Sequence, residues 1–284
     1  MKYLKLKSLF TALLCLFCTS SWAYDCEVNG IYYNRTSVTD FEVTSGDKKY
    51  TGDIVIPENV TYNGRTFKVT TIGNYAFYGC TGLTSVIIPD NVATIESGAF
   101  YGCTALSIIS IPNNVKSIED AAFRGCTGLT TVSIGNNVTW IGNYAFCDCT
   151  ALTAITIGPS VTSIGDYVFA ACNSLAVLNC LPTIPPTISG SSSFDSPHYT
   201  WTDVYVPMGC RSKYQNEAYW KKFISTSEFD MATMSALSAT AEKAKDIVKA
   251  ENATKEQTVN NAKASKTTTK AKKQSSRSRS RRRR

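Results

Sequence analysis

Between residues 72 and 178 the apolar positions recur as I-x3-AF-xx-C-xx-L-xx-V-x-I-P-xx-V-xx-I, with a period of 23 residues. Phe77, Phe100, Phe123, Phe146 and Phe169 hold one register, Cys80, Cys103, Cys126, Cys149 and Cys172 the next, and Leu83, Leu106, Leu129, Leu152 and Leu175 a third. An unbroken period of this length is the mark of a solenoid, in which every copy forms one coil stacked on the last. The V-x-I portion (Val86 and Ile88, Ile109 and Ile111, Val132 and Ile134, Ile155 and Ile157) alternates as a strand does when one face is buried. The residue that follows, Pro89, Pro112, Gly135 or Gly158, ends the pairing and turns the chain. The AF segments are too short for a full helix and predict a turn or a short 3₁₀ element, with the Phe rings pointing inward as a column. One coil buries too little to stand alone, so stability is a sum over neighbouring coils and both ends need caps.

The pattern starts before the cysteines and fades after them. Ile54-Val55-Ile56-Pro57-Glu58-Asn59-Val60 matches residues 86–92, so the first coil opens at Ile54 and carries nine extra residues, 61–69. Asn29-Gly30 and Asn63-Gly64 are tight-turn dipeptides between strand-forming residues and predict hairpins that close this end. Beyond Leu178 the period fails. Residues 180–194 are rich in Pro, Ser and Gly and read as a loop, and Val204-Tyr205-Val206-Pro207 restores the strand-then-Pro signature once. Residues 210–230 carry Tyr214, Tyr219, Trp220 and Phe223 at helix-like spacing, which predicts an amphipathic helix with its aromatic face over the last coil.

The two ends of the chain differ from the array. Residues 1–23 combine a basic start, an apolar run at 9–17 and Ser21-Trp22-Ala23, the pattern of a signal peptide, and the run is too short to span a bilayer. No transmembrane segment is expected elsewhere. The formal charge of +7 hides a division: residues 24–231 hold 11 Lys/Arg against 18 Asp/Glu, a net of −7, while residues 232–284 hold 15 against 4, a net of +11. From Ala232 onward, apart from a weak heptad between Met234 and Val248, nothing can build a core, so 232–284 reads as a disordered basic tail. It ends in Arg277, Arg279, Arg281, Arg282, Arg283 and Arg284, which would attract nucleic acid, anionic lipid or acidic glycan by counterion release.

Candidate chemistry is sparse. Nine cysteines follow the leader. One per coil at a fixed interior position reads as a stack of small buried side chains, the other reading being bridges between coils. Cys26, Cys180 and Cys210 lie outside the array, and a Cys180–Cys210 bridge stays open on sequence grounds. Cys147 takes the place of Tyr78, Tyr101, Arg124 and Ala170 in the other copies, so it is expected to be more exposed than Cys149. The single histidine, His198, falls in the irregular loop, and no Cys-x-x-Cys pair accompanies it after the leader, which speaks against zinc. No nucleophile elbow, phosphate loop or dinucleotide fingerprint occurs, and no cofactor is expected. Asn34, Asn59, Asn137 and Asn252 head N-x-T triplets, chance matches in a Thr-rich chain if the host is bacterial. Asp90, Glu96, Glu119, Asp120, Asp148 and Asp166 fall at turns without calcium-loop spacing. Facing outward from the strands are Thr84, Ser85 and Ile87, then Ser107, Ile108 and Ser110, then Thr130, Thr131 and Ser133, then Thr153, Ala154 and Thr156. That surface is neutral and hydroxyl-rich and offers no acid, base or nucleophile pair.

Within each copy L-xx-V-x-I is the leucine-rich-repeat strand pattern, and the unit IGNYAFYGCTGLTSVIIPDNV resembles the BspA-like leucine-rich repeats of secreted and surface proteins of Bacteroides-type bacteria. The resemblance covers roughly residues 24–230, from the cap ending in YNGRTFKVTTIG to VYVPMGCRSKY and YWKKF. It implies an adhesin-type protein, relatives of which bind host matrix proteins or other microbes, and it brings no catalytic motif.

These observations predict a mainly β, right-handed leucine-rich-repeat solenoid of about six to seven coils with N- and C-terminal caps. The expected divisions are a signal peptide (1–23), a cap with the first coil (24–71), five repeats (72–178), a last coil with the exit cap (179–231) and the tail (232–284). The expected function is secreted or cell-surface, non-enzymatic adhesion, with extracellular proteins or glycans recognised by Thr84, Ser85, Ile87, Ser107, Ser110, Thr130, Thr131, Ser133, Thr153 and Thr156. The alternative is polyanion binding through the tail, with the solenoid as scaffold.

Overall fold

The structure, a computed structural model, describes residues 24–190 and 192–230, so the expectations for the leader and the basic tail fall outside the described residues. Within them the chain winds into a mainly β solenoid of about seven turns with a period near 23 residues. The L-xx-V-x-I segments form an eight-stranded sheet. It runs from Gly52–Val55 through Leu83–Ile87, Ile108–Ser110, Thr131–Ser133, Ala154–Ile157 and Val177–Cys180 to Asp203–Pro207 and ends on Thr226–Phe229. All of these pairings are parallel, each strand lying beside its counterpart one coil on.

A second sheet is not visible in the strand periodicity. The V-xx-I part of each copy makes two-residue parallel pairings: Thr94–Ile95, Ser117–Ile118, Trp140–Ile141, Ser163–Ile164 and Thr187–Ile188. This ladder continues into Arg65–Ile72 and the entry cap. There Cys26–Val28 pairs antiparallel with Ile31–Arg35, and Asn59–Tyr62 with Arg65–Ile72, around the two Asn-Gly turns. Asn29 and Gly30 have φ of 53° and 80°, Asn63 and Gly64 of 49° and 74°, the left-handed pair that a two-residue hairpin requires.

Between the sheets lies the core. The five repeat Phe rings are fully buried and stack 4.8, 5.0, 5.3 and 6.0 Å apart with their planes within 5° of parallel. Tyr50 extends the column at one end, 4.6 Å from Phe77, and Phe194 at the other, 5.0 Å from Phe169. The Phe carbonyls of these turns, each already accepting the N–H three residues on, take a second hydrogen bond from the cysteines of the next coil. The thiols of Cys103, Cys126, Cys149 and Cys172 each donate to the carbonyl of the Phe 26 residues earlier, at 3.1–3.2 Å. A small side chain that fills space and also donates a hydrogen bond suits this position, and cysteine is both.

The cysteines are therefore packing. All nine in the described residues are free and buried. Cys180 is one of them: it occupies the inward position held by Ile88, Ile111, Ile134 and Ile157 in earlier strands, and no Cys180–Cys210 bridge forms. Cys147 is 6 % exposed against 0 % for Cys149, so the expected order holds but the side chain is buried nonetheless. Burial pushes the Cys80 and Cys147 thiols up to about 11 and Cys149 up to about 12. Thiolate, the reactive form, is accordingly scarce at neutral pH. Titrated with a disulfide reagent at pH 8, the folded chain from residue 24 should show almost no reaction, and nine thiols should appear on adding denaturant. A thiol that reacts at once in the folded protein, or seven in place of nine after unfolding, contradicts this arrangement.

The exit cap differs from the single amphipathic helix expected. Residues 210–230 break into a helix Arg211–Asn216, a 3₁₀ turn Trp220–Lys222 and the strand Thr226–Phe229, which pairs with Asp203–Pro207 as the last rung of the sheet. The aromatic residues still close the core: Phe194 meets Phe223 edge-on at 5.1 Å, and Tyr214 and Trp220 donate hydrogen bonds to the carbonyls of Pro182 and Pro186. His198 is not in an irregular loop. It opens the short helix His198–Trp201 and is 1 % exposed, with Nδ1 accepting from the Asp195 N–H at 2.9 Å and Nε2 3.0 Å from the Cys172 carbonyl. It thus supplies the last coil with a donor to the Cys172 carbonyl, beside the hydroxyl of Thr202, which donates to that of Leu175.

Candidate functional site

Alternation along each strand of the eight-stranded sheet turns Val86, Ile109, Val132, Ile155, Leu178 and Val204 inward and leaves the residues between them outside. Because coils pair in register, the outward residues fall into straight rows. One row runs Ser85, Ile108, Thr131, Ala154, Val177, Asp203. Another runs Ser110, Ser133, Thr156, Asn179, Tyr205, Ser227, with Ile87 paired to Val55 at the opposite end of the sheet. A third, Thr84, Ser107, Thr130, Thr153, lies at or just before the strand starts and is exposed throughout. The fold therefore brings all ten residues singled out on this surface, Thr84, Ser85, Ile87, Ser107, Ser110, Thr130, Thr131, Ser133, Thr153 and Thr156, to one face. Arg277, Arg279, Arg281, Arg282, Arg283 and Arg284 lie outside the described residues.

Not all of these hydroxyls are available to a ligand. Thr130 donates to the Ser107 carbonyl and Thr153 to the Thr130 carbonyl, at 3.0 and 3.1 Å, which ties each coil to the one before. Thr84 and Ser85 both donate to Asp53 Oδ1, at 2.8 and 2.7 Å, and Thr156 accepts from the Asn179 amide at 3.3 Å. Ser107, Ser110, Thr131 and Ser133 make no side-chain hydrogen bond among the described residues. Around them stand apolar side chains: Ile108 is 49 % and Val55 40 % exposed. The face is thus less uniformly polar than its hydroxyl count suggests. It has a central strip of free hydroxyls and aliphatic groups, and acidic residues at the ends, Asp53 and Asp203, the latter bonded to Ser225.

Elsewhere the structure offers no reactive constellation among the described residues. No group of three His, Cys, Asp or Glu side chains there is arranged to hold a metal ion. No helix among them is long and apolar enough to cross a membrane. Their one ion pair, Arg124 Nε to Asp148 Oδ2 at 3.2 Å, sits on the turns and not on the strand face. It belongs to a row of exposed aromatic residues that the strand pattern missed; the signal was present in the recurrent Tyr one residue after and two residues before the repeat Phe.

Comparison with known proteins agrees with this geometry. Residues 48–176 match the model of the BspA type leucine rich repeat region, in six copies. A leucine-rich repeat protein of T. pallidum is similar in structure, with a TM-score of 0.52 at 22 % identity over 72 % of this chain and 83 % of that one, a likeness of fold. One from Bacteroides ovatus gives a TM-score of 0.41 at 25 % identity, covering 72 % of this chain and 67 % of that one. A leucine rich cell surface protein of Faecalibacterium prausnitzii gives 0.48 at 26 %, covering 64 % and 54 %. No curated protein matches the chain. Residues 48–176, whose six copies build the stacked coils described above, are a BspA-type leucine-rich repeat region.

Proposed function

We propose that this is a secreted or cell-surface binding protein, without catalytic activity, that holds extracellular proteins or glycans on the outer face of its eight-stranded sheet. The observation that carries this reading is the row arrangement: side chains in register over the six strands from Leu83–Ile87 to Asp203–Pro207, with Ser110, Thr131, Ser133 and the half-exposed Ile108 near the centre. A rigid surface of that kind meets a partner with little loss of its own conformational freedom. The leader pattern at residues 1–23 supports export, and the family supports a binding scaffold. Short hydroxyls make weak individual contacts, so affinity per molecule is modest and several copies on one surface would act together.

Ile108→Arg and Thr131→Arg test this reading. Both side chains point out of the sheet, so stability should change by less than about 0.5 kcal/mol. Adhesion to immobilised extracellular-matrix extract and to whole bacterial cells should fall at least about tenfold, about 1.4 kcal/mol. Unchanged adhesion of both variants sinks the assignment of this face.

A further inference from the structure

A second surface of the solenoid also repeats. Two columns flank the buried Phe rings: Tyr78, Tyr101 and Arg124 follow the Phe, and Tyr75, Gly98, Ala121, Tyr144 and Tyr167 precede it by two. Their side chains join into one ribbon. Tyr75 meets Tyr78 edge-on at 5.8 Å, and Tyr78 lies 5.4 Å from Tyr101. The Arg124 guanidinium follows, 5.8 Å from the Tyr101 ring and 5.3 Å from that of Tyr144, which stacks on Tyr167 at 4.9 Å with the planes 1° apart. The Lys49 ammonium lies 5.3 Å from the Tyr78 ring at the near end. At the spacing of parallel strands the ribbon is about 20 Å long.

These rings are not core. Tyr75 is 53 %, Tyr78 47 % and Tyr167 39 % exposed. Tyr75, Tyr144 and Tyr167 also have φ of 55°, 57° and 56°, a left-handed backbone that disfavours any residue with a side chain. Gly98 holds the same place in its coil, and the Tyr75 ring lies so close across it that a Cβ there would come within 2.3 Å. Glycine would serve the turn better at all three positions. The same conformation recurs at Ala121, φ 55°, so the turn itself needs no ring there, and the exposed rings of Tyr75 and Tyr167 are the ones open to a ligand.

The charges beside the ribbon narrow the ligand. Arg124 holds Asp148 through Nε alone, and its terminal amino groups have no acceptor among the described residues. Along the other side Asn74, next to Tyr75, donates to Glu96 at 2.6 Å, and Asn143, next to Tyr144, contacts Asp120 at 3.4 Å, with half-exposed Glu119 adjoining. A polyanion would run against Glu96, Glu119, Asp120 and Asp148, and a polycation against Lys49 and Arg124. An uncharged polyhydroxylated chain suits both signs, with C–H faces on the rings and hydroxyls shared between guanidinium and carboxylates. We propose that the ribbon from Tyr75 to Tyr167 binds a neutral glycan chain, independently of the strand face.

The test is affinity electrophoresis of the chain from residue 24 in native gels containing laminarin, galactomannan or arabinoxylan, with heparin as the polyanion control. At least one neutral polysaccharide should retard the protein. Tyr75→Gly and Tyr144→Gly place glycine where the backbone favours it, so the fold persists, checked by an unchanged melting temperature. Each should weaken retention about tenfold, while Ile224→Ala, exposed on the exit cap and outside both the ribbon and the strand face, leaves it unaltered. Retention by heparin alone, no retardation in any neutral gel, or wild-type retention of both Tyr variants overturns the proposal.

Discussion

Replacing Phe123 with alanine is expected to destabilise the solenoid by about 4 kcal/mol, the range for emptying a fully buried aromatic site. The ring is 0 % exposed and sits between Phe100 at 5.0 Å and Phe146 at 5.3 Å, each neighbouring pair of planes 5° apart. Collapse cannot close the gap, because each neighbouring ring is fixed by a turn whose backbone is bonded to the coils on either side: the Phe123 N–H donates to the Ala145 carbonyl at 2.8 Å, and the Phe123 carbonyl accepts the Cys149 thiol at 3.2 Å. In a stacked array the loss falls on two interfaces at once. Urea unfolding would measure it. If the halves on either side of the gap then unfold separately, the midpoint drops and the apparent slope falls too, since each step exposes less surface. Thr131→Ala, on the outside of the neighbouring strand, should change stability by under about 0.5 kcal/mol. A loss below about 1.5 kcal/mol for Phe123→Ala would mean that the column is not the axis of the fold.

The Phe column, the Cys column and the strand positions were legible because a period of 23 residues repeats each environment several times, and a wrong assignment would have to be wrong in every copy. What lacks repetition was not legible. Pairings such as Ser117–Ile118 with Trp140–Ile141 have only two residues, too short for any alternation to register. The strand Thr226–Phe229 reads T-S-E-F, with no strand pattern of its own; it forms because Asp203–Pro207 offers an open edge. The aromatic residues around it, Tyr214, Trp220 and Phe223, suggested one helix by their spacing, yet they are placed by separate contacts with Pro182, Pro186 and Phe194 that no local pattern encodes. On the strand face the ten candidate residues share one outer surface, but the states of their side chains were not legible. That Asp53 engages Thr84 and Ser85, and that Thr130 and Thr153 bridge coils, depends on neighbours one coil away. The Tyr ribbon escaped for a related reason: its members alternate between two columns, so neither column alone looks like a repeat.

Stability should fall steeply above pH 9 and continue falling to about pH 12. The cause is the buried thiol column. Desolvation disfavours the thiolate of Cys149 and pushes its folded pKa to about 12, against an ordinary value of 9.0, and Cys80 moves to about 11 for the same primary reason. Below pH 9 both folded and unfolded chains carry neutral thiols and the shift has no effect. Between 9 and 12 the unfolded chain releases protons that the folded chain retains, so unfolding gains up to about 1.4 kcal/mol per pH unit for each such group. Once the folded thiol also ionises, near 12 for Cys149, its contribution is lost in full. For Cys149 alone this is on the order of 4 kcal/mol across the window. Burial also raises Tyr33, Tyr50 and Tyr214, which adds to the loss above pH 10. Comparing wild type with Cys149→Ala isolates the thiol: the variant is less stable at pH 7, having lost packing and the bond to the Phe123 carbonyl, but its stability should decline more gently, by about one proton's worth of slope between pH 9.5 and 11.5. Equal slopes for the two proteins would show that Cys149 ionises as freely in the fold as outside it, and the carbonyl-bonded, desolvated thiol would no longer explain why a cysteine stands at the centre of each coil.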